Sequence, residues 1–385
     1  MKLNELFNGS YQKKRVFVTG HTGFKGAWLC LWLRELGADV AGYSLDPPSS
    51  PSFFEQCGLS GKIQSYRGDI RDSNKLLASI DEFKPEIIFH LAAQPIIRRA
   101  YEIPEETISV NVMGTVHLLE AVRKTSSVRV CQVITSDKCY ENREEQNAFS
   151  EEDRLGGYDP YSASKGCVEL VTASFRNSFF PPDCIHEHGV SLSTARAGNA
   201  IAGGDWGRDR IIPDVVRSIG ERSSVVVRNP FTVRPWQYAL DLLAGYLLLA
   251  EKQMTRDPIY AGAWNFGPSI TTEPITVKSL VEHFLNFWQN KTHPAAVIYE
   301  NDTELNSLHE AKFLRLNCEK ANHILGWRSI YPIETTLQET AWWYQSFLSN
   351  PAFPAYEFSK IQIMDYADAA SRSGCVWARE PVRTS

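Results

Sequence analysis

The strongest constraint on this chain lies near its start, where Arg15-Val16-Phe17-Val18-Thr19 runs directly into Gly20-His21-Thr22-Gly23-Phe24-Lys25-Gly26. A short apolar strand, three glycines spaced three apart, and then helix-forming residues make a tight turn between strand and helix. Glycine permits positive φ and lets the backbone approach a ligand closely. The helix N-terminus adds unpaired N–H groups and a partial positive charge, which suit a diphosphate. Such a triplet alone matches many loops; its place after the first strand and before the first helix is what phosphate binding requires. A dinucleotide is therefore expected here, with Gly20, Thr22, Gly23, Phe24 and Gly26 around its diphosphate.

The pattern that follows alternates short apolar strands with amphipathic helices, the mark of a parallel α/β sheet. Strands are predicted at 39–43, 63–66, 86–91, 128–135 and 190–195, with long helices at 25–36, 105–124 and 161–179. The fold class is a Rossmann-type doubly wound parallel sheet with a smaller mixed α/β substrate-binding lobe. Residues 1–190 are expected to form the dinucleotide domain, with 237–266 returning to it. Residues 191–236 and 267–355 are expected to form the lobe. Further helices are predicted near 210–220, 238–252, 277–289 and 334–348. The segment 356–385 reads as a weakly patterned tail, partly without fixed structure.

Composition narrows the function. A net charge of −5 argues against a broad nucleic-acid-binding face. Eight scattered cysteines without a CxxC pair favour reduced thiols. With no apolar signal region and no run of ~20 apolar residues, a soluble cytoplasmic protein away from membranes is expected. Nine dispersed histidines without ligand spacing predict no metal site.

Tyr161 and Lys165 stand four residues apart at the start of a helix, and so share a face. A phenol near pKa ~10 is a poor base at neutral pH. A cation ~4 Å away contributes ~4 kcal/mol at an effective dielectric of ~20, equivalent to about three pKa units before desolvation. Lys165 is therefore expected to draw Tyr161 towards neutrality. With the glycine turn and this pair, the chain resembles the extended short-chain dehydrogenase/reductase superfamily. The stretch Thr135-Ser136-Asp137-Lys138-Cys139-Tyr140, with Arg228-Asn229-Pro230-Phe231-Thr232-Val233-Arg234-Pro235-Trp236, is similar to the nucleotide-sugar 4,6-dehydratases within it, in particular those that take CDP-glucose.

That resemblance implies NAD as cofactor and a 4-keto-6-deoxy sugar as product. It makes Tyr161 the base at O4, Ser136 the hydroxyl that bonds that oxygen, and Lys165 a ribose contact. Asp137 becomes the acid that protonates the departing 6-hydroxyl, and must hold its proton at that moment. At 138, relatives acting on dTDP-glucose carry a glutamate base; Lys138 leaves the C5 base open between itself and another group. An extended strand would also point 137 and 138 to opposite faces, so a bend is needed there. The family's adenine contact falls on Asp69-Ile70, its cofactor cleft on Leu91, Ala92 and Ala93, and substrate contacts on Gln94, Asn199, Arg210 and Arg234. The acid that usually ends the second strand is replaced by Ser44, with Asp46 beyond; no arginine sits at that strand end to receive a 2′-phosphate, so NAD is favoured over NADP. His90 reads as a core histidine, and Trp236 as either packing or site. The two long helices imply a homodimer, with a dimer of dimers as an extension, or else they simply cover the sheet. An epimerase, a dehydratase for another nucleotide sugar, and a catalytically silent dinucleotide scaffold remain as alternatives.

Overall fold

A computed structural model describes residues 2–143, 147–269, 275–288, 296–300 and 313–379. Seven strands form one sheet: β1 (Arg15–Thr19), β2 (Asp39–Ser44), β3 (Gln64–Arg67), β4 (Ile87–His90), β5 (Val130–Ile134), β6 (Ser191–Ala197) and β7 (Gly262–Phe266). Their order is β7-β6-β5-β4-β1-β2-β3, and all pairings are parallel. The order reverses between β1 and β4. This is the switch point at which the carboxyl ends of a doubly wound sheet open a crevice for ligand.

Why the sheet is buried on both faces is plain from the strands: Phe17, Val18, Ile87, Ile88, Phe89, Val130, Cys131 and Val133 are all fully enclosed. The helices Gly114–Lys124 and Pro160–Phe179 bury Leu118, Leu119 and Val168 against one face. They thus cover the sheet, while Leu170 on the same long helix faces outward. The predicted 105–124 helix is broken by a π-helical turn, Ser109–Met113, between Pro104–Ile108 and Gly114–Lys124.

Two expectations are corrected. β6 lies wholly in the main sheet, so the lobe cannot begin at 191; its own elements are the helix Ile211–Glu221, the strand Val225–Arg228 paired in parallel with Val297–Glu300, and the helix Val277–Asn286. The segment read as a tail is instead a helix, Ala355–Arg372, followed by a 3₁₀ turn at Val376–Ala378. Tyr366 donates to Asp241 Oδ1 at 2.8 Å, and Trp377 stacks on Phe7 with ring centroids 4.9 Å apart. The buried stripe of this helix includes Ser359, Gln362, Ala367 and Ala370. Small and polar residues weaken the apolar periodicity on which a sequence reading depends. Residues 380–385 and the end of the predicted 277–289 helix lie outside the described residues.

Candidate active site

Gly20 has φ +74, and a Cβ there would lie 2.7 Å from the Ala92 nitrogen. Leu91 and Ala92, past the end of β4, therefore stand directly against the turn. Gly26 closes it, since a Cβ would approach the Gly20 carbonyl oxygen to 2.2 Å. Gly23 caps the helix Phe24–Glu35 without a side-chain bond, and a Cβ there would meet only the Gly20 oxygen, at 3.4 Å. Open space beside uncapped N–H groups fits a diphosphate. Thr22 is buried, its hydroxyl bonded to Ser44 Oγ at 2.6 Å and to the Leu45 oxygen at 3.0 Å. It positions the turn against β2.

Where the resemblance puts the adenosine, Asp69 is held by Arg71, which keeps its carboxyl below the usual range. Ile70 is buried, and a Cβ on Gly114 would lie 2.6 Å from its side chain. An arginine does stand at the end of β2, contrary to the sequence reading. Arg67 pairs in register with Ser44, donates to the Leu45 oxygen at 2.9 Å and lies 3.2 Å from Asp46. It sits 23 positions along the chain and reaches Ser44 only through the β2–β3 pairing. The carboxylate of Asp46 beside it disfavours a 2′-phosphate.

β5 ends at Ile134, and the chain then bends into a 3₁₀ turn, Asp137–Cys139, capped by Ser136, whose hydroxyl accepts from the Lys138 nitrogen at 3.2 Å. This is the bend that lets 137 and 138 serve one ligand: Lys138 Nζ lies 3.8 Å from Asp137 Oδ1. Ser136 Oγ donates to the same Oδ1 at 3.0 Å. Asp137 Oδ2 is buried with no hydrogen-bond partner. An unmet buried acceptor costs free energy, so its retention at the wall of a cavity points to a ligand or to chemistry. Gly198 leaves it room, since a Cβ there would lie 3.1 Å from Oδ2 and 2.5 Å from Pro235. Thr135 is committed elsewhere, its hydroxyl bonded to Glu169 Oε1, which leaves Ser136 as the hydroxyl of the site.

Behind this turn, Glu169 also accepts from Thr194 Oγ1 and Arg196, each at 2.8 Å. Arg196 donates to Tyr140 Oη, and Tyr140 to Asn265. Asp159 caps the helix Pro160–Phe179, accepting from the Ser162 nitrogen at 3.0 Å, and so fixes Tyr161 and Lys165 in its first turns. Asn111, in the π-helical turn, donates to Ser164 Oγ at 2.8 Å and binds both backbone groups of Gln94. That asparagine was not singled out from the sequence, because nothing short of the fold brings it to Ser164.

One cavity of about 310 Å³ is lined by Ser136, Asp137, Lys138, Tyr161, Asn199, Arg210, Arg234 and Trp236, among others. Phenol, hydroxyl and carboxyl share this space. Gln94 does not fit the role expected of it. Its amide donates to the Ile96 oxygen and Thr107 and accepts from the Ile96 nitrogen, and the cavity wall there is formed by residues 95–98. Lys25, from the glycine run itself, also lines the cavity. The signal was present as a cation between two phosphate-turn glycines. His90 is a core histidine, bonded to Thr19 and Thr115 and held neutral by burial, its pKa lowered to about 3.

The electrostatics differ from expectation. Burial, reinforced by Asp137, holds the Tyr161 phenol above its usual value against a bond from Ser136 and the charge of Arg210. Burial and the like charge of Lys25 bring Lys165 down to about 8. Burial and Arg210 bring Lys25 down to about 8 as well. Desolvation penalises every charged form in a closed site, and it is the largest influence on both the phenol and the ammonium here. Each ammonium is thus positive below about pH 8 and neutral above. kcat/KM is expected to fall above that pH, and Lys25→Met should move this alkaline limb upward by relieving Lys165. A pH profile of both proteins checks it; an unchanged limb would remove Lys25 from the cause.

The family profile described as GDP-mannose 4,6 dehydratase matches residues 17–340. The chain belongs to that family. Within it, the chain is 48% identical over 362 residues to a CDP-glucose 4,6-dehydratase of Salmonella typhimurium, covering 94% of this chain and 98% of that protein. In fold, it resembles a UDP-glucose 4-epimerase of Thermotoga maritima solved with UDP-glucose (TM-score 0.71, 20% identity, 87% of this chain and 99% of the other). It equally resembles a dTDP-glucose 4,6-dehydratase of Bacillus anthracis solved with NAD (TM-score 0.67, 21% identity, 86% and 96%). Among the described residues no group of His, Cys, Asp and Glu is arranged to hold a metal, and no helix is long and apolar enough to cross a membrane.

Proposed function

We propose that this chain is a hydro-lyase that converts CDP-glucose into CDP-4-keto-6-deoxyglucose and water, with bound NAD. The observation that carries the reading is the buried, unpartnered Asp137 Oδ2 in the cavity that also holds the Tyr161 phenol. An epimerase needs the phenol but has no use for a second acid poised beside it.

Gly20, Gly23 and the first turn of the helix Phe24–Glu35 would hold the diphosphate of NAD, with Asp69 and Ile70 near its adenosine and Leu91 to Ala93 along the cleft. When bound, NAD would supply hydride acceptance at C4 and hydride donation at C6, and its ring charge would add to the pull on the Tyr161 proton. Tyr161 takes the O4 proton, and Ser136 bonds that oxygen. The C4 ketone acidifies the C5–H. Asp137 gives its proton to the leaving 6-hydroxyl through the oxygen that lacks a partner. Lys138, with Nζ 3.8 Å from Asp137 Oδ1, takes the C5 proton in this reading and gives a solvent-exchanged proton back to C5 as hydrogen returns to C6. Asn199, Arg210 and Arg234 hold the substrate diphosphate, Arg210 being fixed by Asp205 at 2.8 Å. Guanidinium suits this task because its fork matches phosphate oxygens.

In this reading the protein works in the cytoplasm as a homodimer. Exposed Ile108 and Met113, in the broken segment before Gly114–Lys124, and Leu170 and Phe179, on Pro160–Phe179, would offer apolar surface to a second copy. Assaying 4-keto-6-deoxy product from CDP-, dTDP-, GDP- and UDP-hexoses tests the activity. Product from CDP-glucose alone, or by far the fastest from it, is expected. A C4 epimer, or turnover only with another nucleotide, would overturn the reading.

A further inference from the structure

We infer that Asp209 and Arg228 form the base-reading end of the substrate cavity and select a pyrimidine carrying an amino group at C4 over one carrying a keto group. The inference rests on the proposed nucleoside diphosphate-hexose substrate and names how its base is told apart. The chain reverses at Asp209, which takes φ +57. Arg210, one residue on, is turned to the chemical end, where it pairs with Asp205 and its charge acts on Tyr161. Asp209 is turned the other way, to Arg228 at the end of the lobe strand Val225–Arg228, with a contact of 2.8 Å. Both line the same cavity as Tyr161, and their side chains stay 39% and 36% accessible within it. With the hexose at Tyr161 and the diphosphate at Arg210, the base is left with the lobe wall, where Val226 and Val277 supply apolar surface.

The chemistry of that end discriminates. A cytosine-type edge presents an N4 amino donor beside an acceptor, whereas a uracil or thymine edge presents an O4 acceptor. A carboxylate accepts from the amino group, and the adjoining guanidinium donates to N3 or O2. A 4-keto base would set oxygen against carboxylate, a repulsive element of the kind that specificity requires. Asp214 also lines this end, but its carboxylate is tied to Arg217 and so flanks the reader.

Equilibrium binding of CDP and of UDP to the holoenzyme, with wild type, Asp209→Asn and Arg228→Gln, reads this without turnover. Wild type is expected to favour CDP by roughly 10- to 100-fold. Asp209→Asn, whose amide can donate to O4, should shrink that ratio at least about 10-fold. Arg228→Gln should weaken CDP more than UDP. A merely structural role would weaken both nucleotides alike and leave the ratio standing. The pair is exposed and adds little to stability, and unchanged thermal midpoints would confirm that the variants fold. A ratio within about twofold of wild type in both variants overturns the inference. A wild type that favours CDP yet forms no keto-sugar would sink the activity while leaving the base reader in place.

Discussion

Replacing Asp137 with Asn is expected to lower formation of the 4-keto-6-deoxy product by roughly 10²- to 10⁴-fold, the scale of a lost general acid. The side chain is buried, with Oδ1 receiving Ser136 and approached by Lys138, and Oδ2 unpartnered. An amide of the same shape can keep the Oδ1 contacts but has no proton to give to a leaving hydroxyl. Oxidation at C4 runs through Tyr161 and should persist. Quenching the variant with labelled borohydride would trap a 4-keto hexose that still carries its 6-hydroxyl. Normal turnover in this variant would remove Asp137 from the mechanism.

Glu169→Ala is expected to cost about 3–5 kcal/mol of stability, because it leaves Arg196 buried and without its partner. Arg196 and Glu169 have side-chain exposures of only 4% and 2%, and their bond is 2.8 Å long. The same carboxylate receives Thr135 and Thr194, so its loss also loosens the turn that presents Ser136 and Asp137. Urea unfolding gives the measure. A loss below about 1 kcal/mol would mean that water or another group repays the guanidinium. Glu169→Gln, which keeps the volume and both hydroxyl contacts, should lose less.

What the sequence made legible were the parts whose chemistry is local. The glycine turn, the Tyr161–Lys165 spacing and the 135–138 stretch each lie within seven residues, so their geometry follows from one turn or one helix. Six of the seven sheet strands were readable from short runs within the chain, the apolar ones most plainly, whereas the edge strand Gly262–Phe266 was not read as a strand. Elements assembled across the chain were not. Arg67 reaches Ser44 through strand pairing, Asn111 reaches Ser164 through a π-helical turn, and Glu169 meets Arg196 behind the site. At the Tyr161 phenol the spacing to Lys165 can be read from the sequence, whereas desolvation depends on what the fold closes over it. The C-terminal helix was missed because it buries alanine, serine and glutamine where a periodicity reading looks for leucine.

In the proposed reaction one hexose is oxidised at C4, loses water across C5 and C6, and is reduced at C6 by the same hydrogen, with Tyr161 and Asp137 on either side of it. CDP-glucose carrying deuterium at C4, turned over in ordinary water, tests this directly. The label is expected at C6 of the product, with a solvent hydrogen at C5. Label retained at C4, or washed out into solvent, would contradict it.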